Sequence, residues 1–73
     1  MWVKTMDGDL VNLAHATSVA KRGARVSVYT SSGIVDIAEC EDESDTQRVI
    51  LIIAAHLAKG SRFLDMEGIA TLP

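Results

Sequence analysis

Few side chains in this chain could do chemistry. They are Cys40, His15, His56, the serine pair Ser31 and Ser32, and an acidic run from Glu39 to Asp45. A cysteine nucleophile acts as its thiolate, which a neighbouring cation or imidazole favours. Cys40 instead follows Glu39 and precedes Glu41, Asp42, Glu43 and Asp45, a setting that opposes ionisation. It reads as a structural residue. His15 and His56 have no motif between them. With a single cysteine and two histidines, the usual ligand set of a structural zinc site is incomplete. The acidic run lacks the alternating carboxylates and the turn glycine of a calcium loop. Ser31 and Ser32 are outside any G-x-S-x-G context. Gly8, Gly23 and Gly33 are isolated and form neither a P-loop nor a dinucleotide fingerprint. The expectation is a protein without enzymatic activity, metal or cofactor.

Charge is the stronger signal. The net charge is -3, which disfavours direct nucleic-acid binding, because Lys and Arg contacts to phosphate supply most of that affinity. Six of the ten acids lie between Asp36 and Asp45, and Lys21, Arg22 and Arg25 cluster around one turn. The acids Glu39, Glu41, Asp42, Glu43 and Asp45 read first as a solvated turn entering a helix. They also form a candidate patch for a basic partner, or a mimic of nucleic acid that blocks a binding protein. The basic turn reads as solubility and edge protection.

These residues must be positioned by a small scaffold. The 73 residues bound the chain to one domain, close to the lower size limit for independent folding. Small domains are commonly reinforced by disulfides, metal or a second subunit. One cysteine permits no internal disulfide, so assembly is the remaining route. Hydrophobic residues are 48% and charged residues 23% of the chain, a globular composition. The longest apolar run, Val49 to Ala55, is far short of the roughly 20 residues of a membrane span. The opening "MWVKTMDGD" has no apolar core of the signal-peptide kind. A cytoplasmic protein without membrane contact is expected.

Residues 2–13 read as a hairpin turning at Asp7, Gly8 and Asp9, with Trp2 read first as its core anchor and second as an exposed contact residue of the kind enriched at interfaces. A bend near His15 leads to a strand over 17–21. "ARVSVYT" and "IVDIAE" form a second hairpin over 24–39, with Val26 and Val28 on one face and Ser27 and Tyr29 on the other. Ser44 and Gln47 fit a capping box, and Gly60 is a C-terminal stop. Together they predict a helix over 45–59. Phe63, Leu64, Met66, Ile69 and Leu72 are too apolar for a solvated tail, so part of it is expected to pack against the domain or a partner chain, an edge strand being one such form. The expected fold is α+β: a small antiparallel sheet of four to five short strands followed by one helix.

That helix carries "RVILIIAAHL", which is apolar nearly all round. Stepping about 100° per residue from Ile50 gathers Ile53, Ala54 and Leu57 into a core stripe with Val49 at its flank. The same steps turn Leu51, Ile52, Ala55 and Ala58 outward. A helix apolar on more than one face is normally covered on more than one face. Leu51, Ile52, Ala55 and Ala58 are therefore the expected homodimer or partner interface.

The opening "MWVKTMDGDLVNL" resembles the start of many short bacterial and phage proteins, with a W-[VI]-K strand, a D-G turn and a V-N-L strand. That resemblance implies compactness, with no activity and no catalytic residues. The leading expectation is a non-enzymatic, homodimeric protein-interaction or regulatory module. The alternative is a phage-type inhibitor that binds a host protein through the acidic patch.

Overall fold

The computed structural model describes residues 1–70, with side chains through residue 68. Expectations for Ile69 and Leu72 lie outside the described side chains. The fold is α+β, with two three-stranded sheets in place of the single sheet expected.

In the first sheet, β1 (Trp2–Lys4) is central. It pairs antiparallel with β2 (Leu10–Asn12) and parallel with β6 (Phe63–Asp65). The β1–β2 turn closes through Gly8 at φ 93°. Thr5 is buried there, its N–H donating to the Asp9 carbonyl and its hydroxyl accepting from the Asp9 N–H. A single 3-10 turn, Leu13–His15, follows β2, with the Asn12 side chain accepting from the Ala14 N–H. It redirects the chain and separates the two sheets. The bend expected near His15 is this turn, and it starts a second sheet where a single sheet was expected.

The second sheet is an antiparallel meander of β3 (Ala16–Arg22), β4 (Arg25–Thr30) and β5 (Gly33–Glu39). Its register slips by one residue in β5, because Ser27 pairs with Asp36 while Val26 pairs with Ala38. Ile37 is the extra residue of this β-bulge. A bulge turns two successive side chains toward one face, and both Ile37 and Ala38 are buried. The loop after β1 seals the bulge. The Met6 N–H donates to the Ile37 carbonyl, and the Glu39 N–H donates to the Met6 sulfur.

Helix α1 spans Glu43–Lys59, two residues longer at its start than expected. Asp42, rather than Ser44, caps it, accepting from the Ser44 and Asp45 N–H groups. Asp42 and Ser44 are both good cap residues, and the earlier one satisfies the first free N–H groups. Gly60, at φ 75°, closes the other end. Its N–H donates to the Leu57 carbonyl and the Ser61 N–H to the His56 carbonyl, the paired pattern of a left-handed helix cap. A short helix, α2 (Met66–Ala70), follows β6.

One core, Val3, Leu13, Val26, Val28, Ile37, Ala38, Val49, Ile53, Leu64 and Met66, spans both sheets and both helices, with Val11 of β2 and Val19 of β3 half-buried against it. Helix α1 packs on β3 and β4, and α2 packs on β5 and β1. Part of the tail packs against the domain as expected, in the form of an edge strand, since Leu64 and Met66 are buried and β6 is an edge. The reading of Trp2 as a core anchor is corrected. In a three-residue strand, alternation points Val3 inward and Trp2 outward, and Trp2 is 48% exposed. It shares a register level with Phe63, which is also exposed.

Candidate functional site

The helix surface follows from which α1 residues the sheet covers. Thr46, Val49 and Ile53 are the buried ones. Thr46 is tolerated there because its hydroxyl donates to the Glu43 carbonyl at 2.6 Å. Ile50 and Ile52 are half-buried and pack against the core. With Ile53 as the inward direction, Ile50 and Ile52 lie about 60° and about 100° to either side. Leu51 lies at about 160°, Ala55 at about 160° the other way, and Ala58 at about 140°.

Three sequence assignments are therefore corrected. Ala54, read into the core stripe, is exposed because it lies about 100° from Ile53. Ile52 does not point outward; it flanks the core. Leu57 is not part of the core; it is 49% exposed, because the last buried residue of the helix is Ile53, one turn earlier. Periodicity fixes the angles between residues but not the direction of the core, and the true inward direction is rotated by about 60° from Ile50. Leu51, Ala55 and Ala58 stay on the outer face. Leu51 is 59% exposed, and Ala54, Ala55 and Ala58 are exposed beside it. The outer face is thus narrower than expected, and its only bulky central side chain is Leu51.

The two ends of α1 carry opposite charge. Glu43 and Asp45 lie in the first turn, and His56 and Lys59 in the last, the arrangement favoured by the helix dipole. Glu41, Asp42 and Glu43 are exposed, as is Glu39 at the end of β5, and Asp45 is half-buried. Asp42 is already engaged, because its carboxylate also accepts the Ser44 hydroxyl. The Ser44 hydroxyl and the Asp45 and Ser44 backbone N–H groups hold its pKa below the ordinary 3.8.

A second polar cluster escaped the sequence reading. On the solvent face of the meander, the Asp36 carboxylate accepts the buried Ser27 hydroxyl, Arg25 at 3.1 Å and Arg22 at 3.4 Å. The Ser27 hydrogen bond leads in lowering its pKa, with the two arginines adding to it against partial desolvation. Two of the three cations of the basic turn, Arg22 and Arg25, therefore share one cross-strand carboxylate. The signal was present: a two-residue turn at Ser31 and Ser32 places Ser27 opposite Asp36. Beside the cluster, the bulge and the β1–β2 loop frame an open cleft of about 390 Å³, lined by Met6, Asp7, Arg25, Asp36, Ile37, Ala38 and Glu39. The Arg25 guanidinium that faces it is bound to Asp36.

The residues singled out for chemistry do not converge. Cys40 is half-buried, and burial pushes its thiol pKa up. Asp45 and Asp42 push the same way, while Arg48 pulls back. His56 Nδ1 lies 3.1 Å from the Ser61 hydroxyl, at the helix cap. His15 is exposed in the 3-10 turn. Among the described residues, no three His, Cys, Asp or Glu side chains come together as a metal site. No helix among them is long and apolar enough to cross a membrane.

No protein-family model, curated protein or solved structure matches this chain.

Proposed function

We propose that this protein is a small, non-enzymatic, homodimeric interaction or regulatory module of the cytoplasm, assembled through the outer face of α1. The observation that carries the reading is Leu51. It is 59% exposed at the middle of a helix face whose C-terminal half is lined by small alanines. A bulky aliphatic side chain set among alanines suits a close helix–helix contact, in which a second backbone approaches over the small positions. Ile52, which flanks the core, supports the face from below rather than contributing to it. A non-catalytic role accords with a thiol pushed away from ionisation and histidines engaged at a cap or open to solvent. The test is light scattering of the purified protein and of its Leu51→Asp variant. A dimer that becomes a folded monomer supports the reading. A wild-type monomer, or a variant that remains fully dimeric, refutes it.

The second reading is the phage-type inhibitor, binding a basic host protein through the acidic patch. It is favoured by Glu39, Glu41 and Glu43, which are exposed at the sheet-to-helix junction. Asp42 belongs to the cap and is unsuited to the test. Replacing Glu41 and Glu43 together by Gln is expected to abolish retention of a host partner in a pull-down. Retention equal to that of the wild type refutes this reading.

A further inference from the structure

We infer that two copies of this chain pair their α1 helices antiparallel about a two-fold axis passing through Leu51, a geometry that rests on the homodimer reading above. Helix α1 runs from Glu43 to Lys59, 17 residues, so Leu51 is its middle residue. The outer-face positions Ser44, Gln47, Leu51, Ala55 and Ala58 are arranged evenly about it. In an antiparallel pair centred there, each residue lies level with the one equally distant from Leu51 on the partner. Ala58 is then level with Ser44, and Ala55 with Gln47. The two Leu51 side chains meet on the axis. These levels pair a small residue with a small or slender one, the centre holds the leucines, and Arg48 at the edge of the face lies level with the small Ala54 of the partner. That permits an interaxial distance near the lower end of the usual range of about 8–10 Å.

Charge selects the direction. The first turn of α1 carries Glu43 and Asp45, with Glu41 and Asp42 just before it, and the last turn carries His56 and Lys59. Antiparallel pairing sets the acidic end of each helix near the basic end of the other, with Lys59 and the partner's Glu43 at one level on opposite flanks of the seam. Parallel pairing would set acid against acid and base against base, and would align the two helix dipoles. A closed two-fold contact uses the same patch on both copies, which this face provides without any other surface. A single helix of about 25 Å makes a contact at the small end of stable interfaces, so the assembly responds to concentration and to salt.

The geometry is tested by cysteine trapping in a Cys40→Ser background. Facing Cα atoms in a close helix pair lie within the roughly 7 Å that a disulfide spans. Under mild oxidation, Leu51→Cys is expected to cross-link to itself. Ser44→Cys and Ala58→Cys are expected to cross-link only to each other when mixed. All three positions are exposed, so the substitutions leave the core intact, and circular dichroism checks the fold. Self-linking at positions 44 and 58 would show a parallel pair and overturn the inference. A wild-type dimer with no cross-link at any position would overturn it while leaving dimerisation standing. A wild-type monomer by light scattering would overturn the homodimer reading and this geometry together. Sedimentation of the unmodified protein gives an independent check: its dissociation constant is expected to rise several-fold between low and high salt, and an unchanged or lower value counts against the antiparallel direction.

Discussion

Leu51 and Ile52 are adjacent in sequence, and replacing each by Asp separates the assembly from the fold. Leu51 is 59% exposed in the single chain. Fully burying a leucine is worth about 1.5–3 kcal/mol. The part already buried therefore accounts for no more than about 1 kcal/mol of folding stability. The exposed part, covered by a second chain, adds about 0.9–1.8 kcal/mol per copy, or about 1.8–3.5 kcal/mol per dimer. That corresponds to a loss of about 20- to 300-fold in dimer affinity, before the repulsion of two carboxylates meeting near one axis. Ile52 packs against the core, so Ile52→Asp creates a void and places a carboxylate beside it, at a cost of about 2–4 kcal/mol to folding. A domain of this length has a total stability of roughly 4–11 kcal/mol, so that is a large share. Urea denaturation monitored by circular dichroism measures the first quantity, and sedimentation equilibrium across a concentration series measures the second. Leu51→Asp is expected to move the association constant with little change in the monomer's stability; Ile52→Asp is expected to move the denaturation midpoint. Equal loss of folding stability in both variants would refute the orientation of α1 and the interface drawn from it.

Two further predictions bear on the fold. Met66, fully buried at the start of α2, which packs on β5 and β1, makes the tail integral to the domain. Met66→Ala is expected to cost about 2–5 kcal/mol in urea denaturation, and a loss under 1 kcal/mol would contradict the packing of the tail. Asp36 and Asp42 both have pKa values lowered from 3.8 by the hydrogen bonds they accept. A lowered folded-state pKa contributes stability that is present above 3.8 and lost as pH falls through the folded value. Acid titration is therefore expected to destabilise the wild type below about pH 4, and Asp36→Asn to flatten that dependence. An unchanged acid limb in the variant would count against the Ser27–Asp36 arrangement.

The local elements were legible from the sequence because their signals are local. The D-G turn, the alternation of "ARVSVYT" and the glycine after Lys59 each fix a structure within a few residues, and each agrees with the observed fold. What the sequence concealed depends on distant partners. The parallel pairing of β1 with β6 joins Trp2 to Phe63, and a three-residue strand carries too little pattern to announce it. The separation into two sheets comes from a 3-10 turn whose three residues, Leu13, Ala14 and His15, read equally well as a bend within one sheet. The Asp36 cluster was hidden differently. The acids were counted along the chain, and the cation partners of Asp36 lie on other strands.

The orientation of α1 shows how such a distant choice alters a functional reading. Rotating the inward direction from Ile50 to Ile53 removes Ile52 from the outer face and leaves Leu51 alone among Ala54, Ala55 and Ala58. A face with both Leu51 and Ile52 would be broad and bulky, and would hold a partner at the wider end of helix spacing. The face that remains is narrow, with one large side chain at the exact middle of the helix and small ones toward the ends. A partner on such a face needs a recess opposite the alanines and a counterpart for a single leucine. It also suits a basic end near the first turn, with Glu43 and Asp45, and an acidic end near the last, with Lys59. The same helix run in the opposite direction supplies all of these at once, which makes a second copy of this chain the simplest surface to complete it.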